Sequence, residues 1–255
     1  MAVGTPRRAP VPVAAASPLP GKAPRRFSPE YWAGLRFLVF GRAVPGVLFG
    51  LMGWIQLTKA ITNLQHLEVS HNAVDLGGRV LTPLLYTAFC AIPSLLYLTR
   101  PRPSARDGRL VARAAAFTGT LMQLLVGTFL GAGPLVVAVS PEMGDAGAVV
   151  AIVAFSGAIW SLGYLRRSLS IIPEARRLAT GGPYRIVRHP LYLFEIMAAL
   201  GALATGPGVI SITSFVVFVL MQMVRARLEE RLLTGAFPEY AAYARRTRRL
   251  IPFVW

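Results

Sequence analysis

Six apolar segments, at 37–57, 80–98, 114–139, 147–165, 190–204 and 207–224, leave this chain few folds to choose from. A helix needs about 20 mostly apolar residues to cross the hydrocarbon of a bilayer, where a spanning segment must satisfy its own backbone hydrogen bonds. The first four segments meet that length. The last two are short, and the joint Thr205-Gly206-Pro207-Gly208 between them suits a tight helical hairpin that tilts, thins the bilayer locally or stops short of crossing. Composition agrees: 54% of the residues are hydrophobic, 15% are charged, and the mean hydropathy is positive. The 255 residues therefore read as one all-α polytopic membrane bundle, not a soluble enzyme. About five to six transmembrane helices are expected, with a C-terminal hairpin and interfacial helices on the cytosolic side.

Residues 1–29 are rich in Pro, Ala and Arg and lack apolar periodicity, so a disordered basic tail is expected there. The first long apolar run lies too far in, and is too long, for a cleaved signal peptide; it reads as an uncleaved anchor. Residues 30–165 form an N-terminal scaffold of about four helices by the same length criterion, and 166–255 hold nearly all the polar groups able to do chemistry. Alternate loops carry 24 of the 27 Lys and Arg residues, which puts both termini and the loop at 166–189 in the cytosol of a plasma or inner membrane. The net charge of +16 then acts as a hold on anionic lipid headgroups and gives no reason to invoke nucleic acid. Trp32, Tyr97, Trp160 and Tyr164 fall near segment ends, as interfacial aromatics do.

The stretch Gly181 to Glu195, GGPYRIVRHPLYLFE, sets a basic loop against a membrane helix. His189 precedes Pro190 and is pushed away from helical geometry, while Pro190 suits the first helical position, so the helix starts there. Arg185, Arg188 and His189 crowd the positive end of its dipole and make a corner for an anionic or zwitterionic ligand. Glu195, ionisable inside a span, is a functional candidate; the plainer reading is a buried pair with Arg42. Pro173 to Leu178 carries a short-helix signature. At the exit of the last segment, Arg225, Arg227, Glu229 and Glu230 either pair on a helix surface or bring carboxylates beside the basic corner. Tyr240 and Tyr243, three apart, suit helix packing. No Walker loop, Rossmann glycine turn, HExxH or cysteine cluster is present. The single cysteine, Cys90, excludes a disulfide framework.

Taken in order, Gly182-Pro183-Tyr184, Arg188-His189-Pro190-Leu191-Tyr192, Glu229-Glu230, Phe237, Tyr240, Tyr243 and Ile251-Pro252 resemble the isoprenylcysteine carboxyl methyltransferase and phospholipid methyltransferase superfamily. The resemblance covers about the last third of the chain. It implies an integral membrane methyltransferase that takes S-adenosylmethionine from the cytosol and a lipophilic acceptor from the bilayer, by direct in-line transfer. On that resemblance His189, Tyr192, Tyr184, Gly201, Glu229 and Glu230 hold the cofactor, while Arg185, Arg188 and Glu195 serve the acceptor and the chemistry. Phe194 departs from the glycine of many relatives and makes that helix face bulkier. The HPxYxxE pattern also resembles membrane sterol reductases, which use a nicotinamide cofactor, and a non-catalytic lipid-binding scaffold is a third reading. Nothing in residues 1–165 chooses the acceptor, whether prenylcysteine carboxylate, phospholipid amine or small thiol.

Overall fold

A computed structural model describes residues 28–70, 72–99, 105–106, 110, 114–115, 118–120, 132–134, 136–165, 174–175 and 178–251. The chain is an all-α membrane bundle. Among the described residues four helical stretches are long and apolar enough to cross a bilayer: Pro29–Gln65, Ala73–Thr99, Pro141–Leu165 and Val209–Ala236. The helix Pro190–Ala204 is apolar but shorter. Just over half of the third expected span, 114–139, falls outside the described residues, and almost all of the expected tail does. At the expected helix 173–178, Glu174–Ala175 instead pairs antiparallel with Ala105–Arg106 as a two-residue ladder.

The first stretch starts on a cap. Ser28 accepts a hydrogen bond from the Tyr31 N–H, Pro29 occupies the first turn, and α1 runs Pro29–Arg36. It continues through a π-helical segment, Phe37–Ala43, into α2, Val44–Gln65. Gly46, Gly50 and Gly53 recur on the face of α2 that meets α3, Ala73–Thr99. A side chain at Gly46 would meet Leu98 at 3.1 Å, and one at Gly53 would meet Cys90 at 3.3 Å. Small residues here let two backbones approach in a solvent where apolar burial drives nothing. The approach also satisfies hydroxyls, since Ser94 donates to the Gly46 carbonyl at 2.8 Å.

Helix α4, Pro141–Leu165, packs between α3 and α5, Pro190–Ala204. Two contacts set the α4–α5 spacing. Gly147 and Gly201 face each other so closely that a Cβ on either would lie 2.7 Å from the other's carbonyl oxygen. Nearer the helix start, Phe194 lays its ring in the notch left by Gly157, where a Cβ would be 2.3 Å away. Its bulk is therefore taken up by α4. Helix α5 does turn into α6, Val209–Ala236, through the expected short joint, and α7 follows at Tyr240–Arg246.

Outward faces are apolar throughout, with Phe40, Leu51, Trp54, Leu95, Val153 and Leu220 exposed. That distribution suits lipid. Trp160 and Tyr164 form an exposed edge-to-face pair, as interfacial aromatics should, but Tyr97 does not join them. It is 1% exposed and stacks on Phe49, facing inward.

Candidate functional site

The loop before α5 is held in shape by glycine and by the C-terminal segment. Gly182 has φ +55° and lies against the Tyr164 ring, 2.4 Å from where a Cβ would sit, so both conformation and space require glycine there. A 3₁₀ turn over Gly182–Arg185 follows and buries Tyr184. Val187 then forms an isolated parallel bridge with Arg248, and the N–H groups of Arg188 and His189 donate to the carbonyls of Arg248 and Arg249 at 2.7 and 3.0 Å. His189 is the N-cap residue and Pro190 opens the helix, as expected.

Around that start the charged groups converge. The His189 ring is 6% exposed and lies parallel to Tyr192, with centroids 5.3 Å apart. Its Nδ1 is 3.6 Å from Glu229 Oε2, to which the Tyr192 hydroxyl donates at 3.0 Å. Its Nε2 lies 3.4 Å from Glu230 Oε1 without a hydrogen bond, and is buried. Glu230 is the hub of the cluster. Arg188 Nε donates to it at 2.7 Å, and Arg249 donates through Nη2 at 2.6 Å and Nε at 2.9 Å.

Five residues expected to bind a cofactor, His189, Tyr192, Tyr184, Glu229 and Glu230, are thus brought together. Of the others, Arg188, Glu195 and Gly201 line the same cavity but are held in different contacts, and Arg185 lies outside it. Arg188 spends its guanidinium within the protein, on Glu230 and on the carbonyls of Ala244 and Thr247, so it supports the corner from behind. Arg185 is exposed on the outer surface. Gly201 sits in the α4–α5 contact, about 16 Å along the helix from Pro190 at 1.5 Å per residue, away from the charged cluster. Glu195 is met by Gln222, whose Nε2 donates to it at 2.5 Å, while Arg42 lies over the Phe37 ring.

Gln222, which sequence reasoning passed over, and Arg225, which it placed on the helix surface or beside the basic corner, complete the interior. Gln222 accepts from Arg225 Nη1 at 2.8 Å, and the Arg225 guanidinium sits 4.8 Å above the Tyr192 ring, a cation–π contact in a desolvated setting. Arg225 therefore turns inward and does not pair along the helix surface. A signal was available: Gln222 and Arg225 are three apart, hence on one face, where an apolar helix should have only lipid-soluble groups.

Tyr243 donates to the Tyr184 carbonyl at 2.7 Å, tying α7 to the loop. Burial raises the Tyr184 phenol well above its ordinary range, with Glu229 adding to the effect, and burial pushes Tyr243 up to about 12. Both remain protonated donors at any physiological pH. The cluster opens on a cavity of about 810 Å³ whose walls beyond the charged end include Phe49, Met52, Phe89, Phe155 and Phe218. Two buried polar atoms on its wall residues, His189 Nε2 and Tyr240 Oη, make no hydrogen bond. Such orphans mark a place for a polar ligand.

Comparison with known proteins matches residues 141–240 to the phospholipid methyltransferase family model. Through that region, under half of the chain, the sequence is similar to the phospholipid methyltransferase family. The family match takes in α4, the histidine loop, the hairpin and the first residue of α7, and so covers His189, Tyr192, Glu229 and Glu230 together. The cobalt-zinc-cadmium resistance protein CzcN of Cupriavidus metallidurans is 34% identical over 116 residues, 45% of this chain and 51% of that protein. The nickel-cobalt-cadmium resistance protein NccN of Alcaligenes xylosoxydans xylosoxydans is 38% identical over 81 residues, 31% of this chain and 38% of its own. The matched stretches thus span about half or less of these relatives' lengths.

Within this cluster, the Tyr192 hydroxyl fixes Glu229 from the side. Tyr192→Phe keeps the ring stack on His189 and the Arg225 contact but frees the carboxylate. The expected result is a normally folded protein whose affinity for a ligand held by Glu229 falls by about tenfold, as loss of one hydrogen bond to a charged group implies. Isothermal titration of the variant checks it.

Proposed function

We propose that this protein is an integral membrane S-adenosylmethionine-dependent methyltransferase acting on a lipophilic acceptor, with both termini and the site on the cytosolic side. The observation that carries the reading is the pairing of Glu229 with His189 and Tyr192 at one charged end of a cavity whose walls also carry Phe49, Phe89, Phe155 and Phe218.

The donor set suits the cofactor's chemistry. Glu229, His189, Tyr192, Tyr184 and Tyr240 would hold it. A carboxylate with only partial exposure offers an acceptor for an ammonium or a ribose diol, and the Tyr240 hydroxyl, buried without a hydrogen bond, supplies a further polar partner. When bound, S-adenosylmethionine supplies an electrophilic methyl group. The chain's own contribution is placement and dryness: Arg188 and Arg249 hold Glu230 rigid, Glu230 keeps His189 in position, and the phenylalanine walls exclude water from the space beside it. An acceptor must share those walls, which favours one delivered from the bilayer. The basic loops, 24 of 27 Lys and Arg, support the cytosolic orientation.

The two relatives are metal-resistance proteins by name. Among the described residues no group of three His, Cys, Asp or Glu side chains could hold a metal ion. A part in resistance, for this chain, is accordingly proposed to run through modification of a membrane component.

The deciding experiment is calorimetric titration of the full chain in detergent with S-adenosylmethionine, its demethylated product and NADPH. Binding of the first two is expected, weakened at least about tenfold in both Glu229→Gln and His189→Ala. Binding of NADPH in their place moves the chain to the reductases, and binding of none of the three leaves a scaffold.

A further inference from the structure

The segment that braces the histidine loop has a second face. Its inner side is consumed by the site: the carbonyls of Ala244, Thr247, Arg248 and Arg249 accept from Arg188 and His189, and Leu250 packs with Tyr192 and Ala226. Its outer side shows Arg245, Arg246 and Arg248, all exposed. Among the described residues none of these three side chains is in an ion pair. Arg245 and Arg246 complement the negative end of the α7 dipole, but Arg248 lies beyond that helix and has no such use. Beside the arginines stand two bare apolar side chains, Ile186 at 54% and Ile251 at 45% exposure, one on each side of the Val187–Arg248 bridge. A face meant for water alone has no need of them.

Its depth is defined by the helix it rests on. Glu230 is 21 residues along α6 from Val209, or about 32 Å, close to the ~30 Å thickness of the hydrocarbon. The clasp that grips Glu230 through Arg249 therefore lies at the headgroup level.

We infer that residues 244–251 form a membrane-facing clasp whose arginines dock on anionic phospholipid headgroups, so that the lipid composition of the bilayer sets how firmly the histidine loop is held. Isoleucines seated among the upper acyl carbons and guanidiniums on phosphates match the two kinds of exposed group. Because the same backbone segment holds the lipid on one side and Arg188 and His189 on the other, docking lowers the opening frequency of the site. The inference reaches past the methyl-transfer reading and does not depend on it, since it concerns the clasp and not turnover.

The test is hydrogen exchange by mass spectrometry on the full chain in nanodiscs of phosphatidylcholine, with and without a phosphatidylglycerol fraction. Anionic discs are expected to slow exchange across 244–251 by about tenfold, and rising salt should remove the slowing. R245Q/R246Q/R248Q is expected to exchange like wild type in neutral discs and to show no slowing in anionic ones; should that triple variant fail to fold, R248Q alone is expected to halve the slowing or more. Equal exchange of wild type in both discs overturns the inference. So does undiminished slowing in the variants. Inorganic phosphate added to neutral discs serves as a third arm, and full slowing there would assign the arginines to a free anion and sink the membrane docking.

Discussion

Glu230→Ala is expected to be the most damaging single change at the site. Arg188 Nε, both donors of Arg249 and the edge of His189 converge on this one carboxylate, and neither it nor Arg188 is more than 13% exposed. Removing it leaves a buried guanidinium facing a void, with carbonyl partners on one side only. Breaking a buried pair by deleting one member costs about 3–5 kcal/mol, far more than a surface ion pair would. The loss should appear as a lower melting temperature in detergent and as cofactor binding too weak to measure. The cycle of Glu230→Ala, Arg188→Ala and the double variant should show strong coupling, because the second deletion removes the charge that the first leaves stranded. A variant that melts and binds like wild type would show that the cluster is not what holds the loop.

Gly201→Ala should act on the bundle and spare the site. Its added Cβ would stand 2.7 Å from the Gly147 carbonyl oxygen and 2.9 Å from the Ala151 nitrogen, and both obstacles are backbone, which cannot swing aside. Helices α4 and α5 must part, at a cost of about 2–3 kcal/mol for overpacking. Melting temperature and yield are expected to fall, while the folded fraction binds the cofactor with unchanged affinity. The reverse pattern, normal stability with weakened binding, would return Gly201 to the binding role that the sequence resemblance implied.

What could be read in advance followed from rules that act over short distances. The helix start at Pro190, the non-helical His189 and the hairpin at Thr205 to Gly208 each follow from a few neighbouring residues. The Glu229-Glu230 pair was legible as a partner for the histidine loop because a tight hairpin returns its exit to its entrance. Misplacements arose where side-chain direction decides. Arg188 and Arg225 are both basic residues beside a helix end; one is consumed by carbonyls 56 and 59 residues away, and the other turns inward to Gln222. No local pattern distinguishes those fates. Tyr97 was taken for an interfacial aromatic by position along its segment, whereas the rotational phase of α3 puts it inside. Gly201 was assigned from resemblance; it does line the cavity, and the opposing Gly147 shows in addition what its missing side chain makes room for.

The span between Arg188 and the carbonyl of Thr247 has a consequence for biosynthesis. These partners are 59 residues apart, and at ~5–20 residues per second a ribosome needs about 3–12 s to make the intervening chain. For the first part of that interval Arg188 is an unneutralised cation on a half-finished loop, until Glu230 arrives 42 residues on. A nascent positive charge of this kind resists translocation. On the cytosolic orientation proposed above, the residue that later braces the finished site would first act as a topological tether, holding its loop on the side of synthesis until Glu230 has been made.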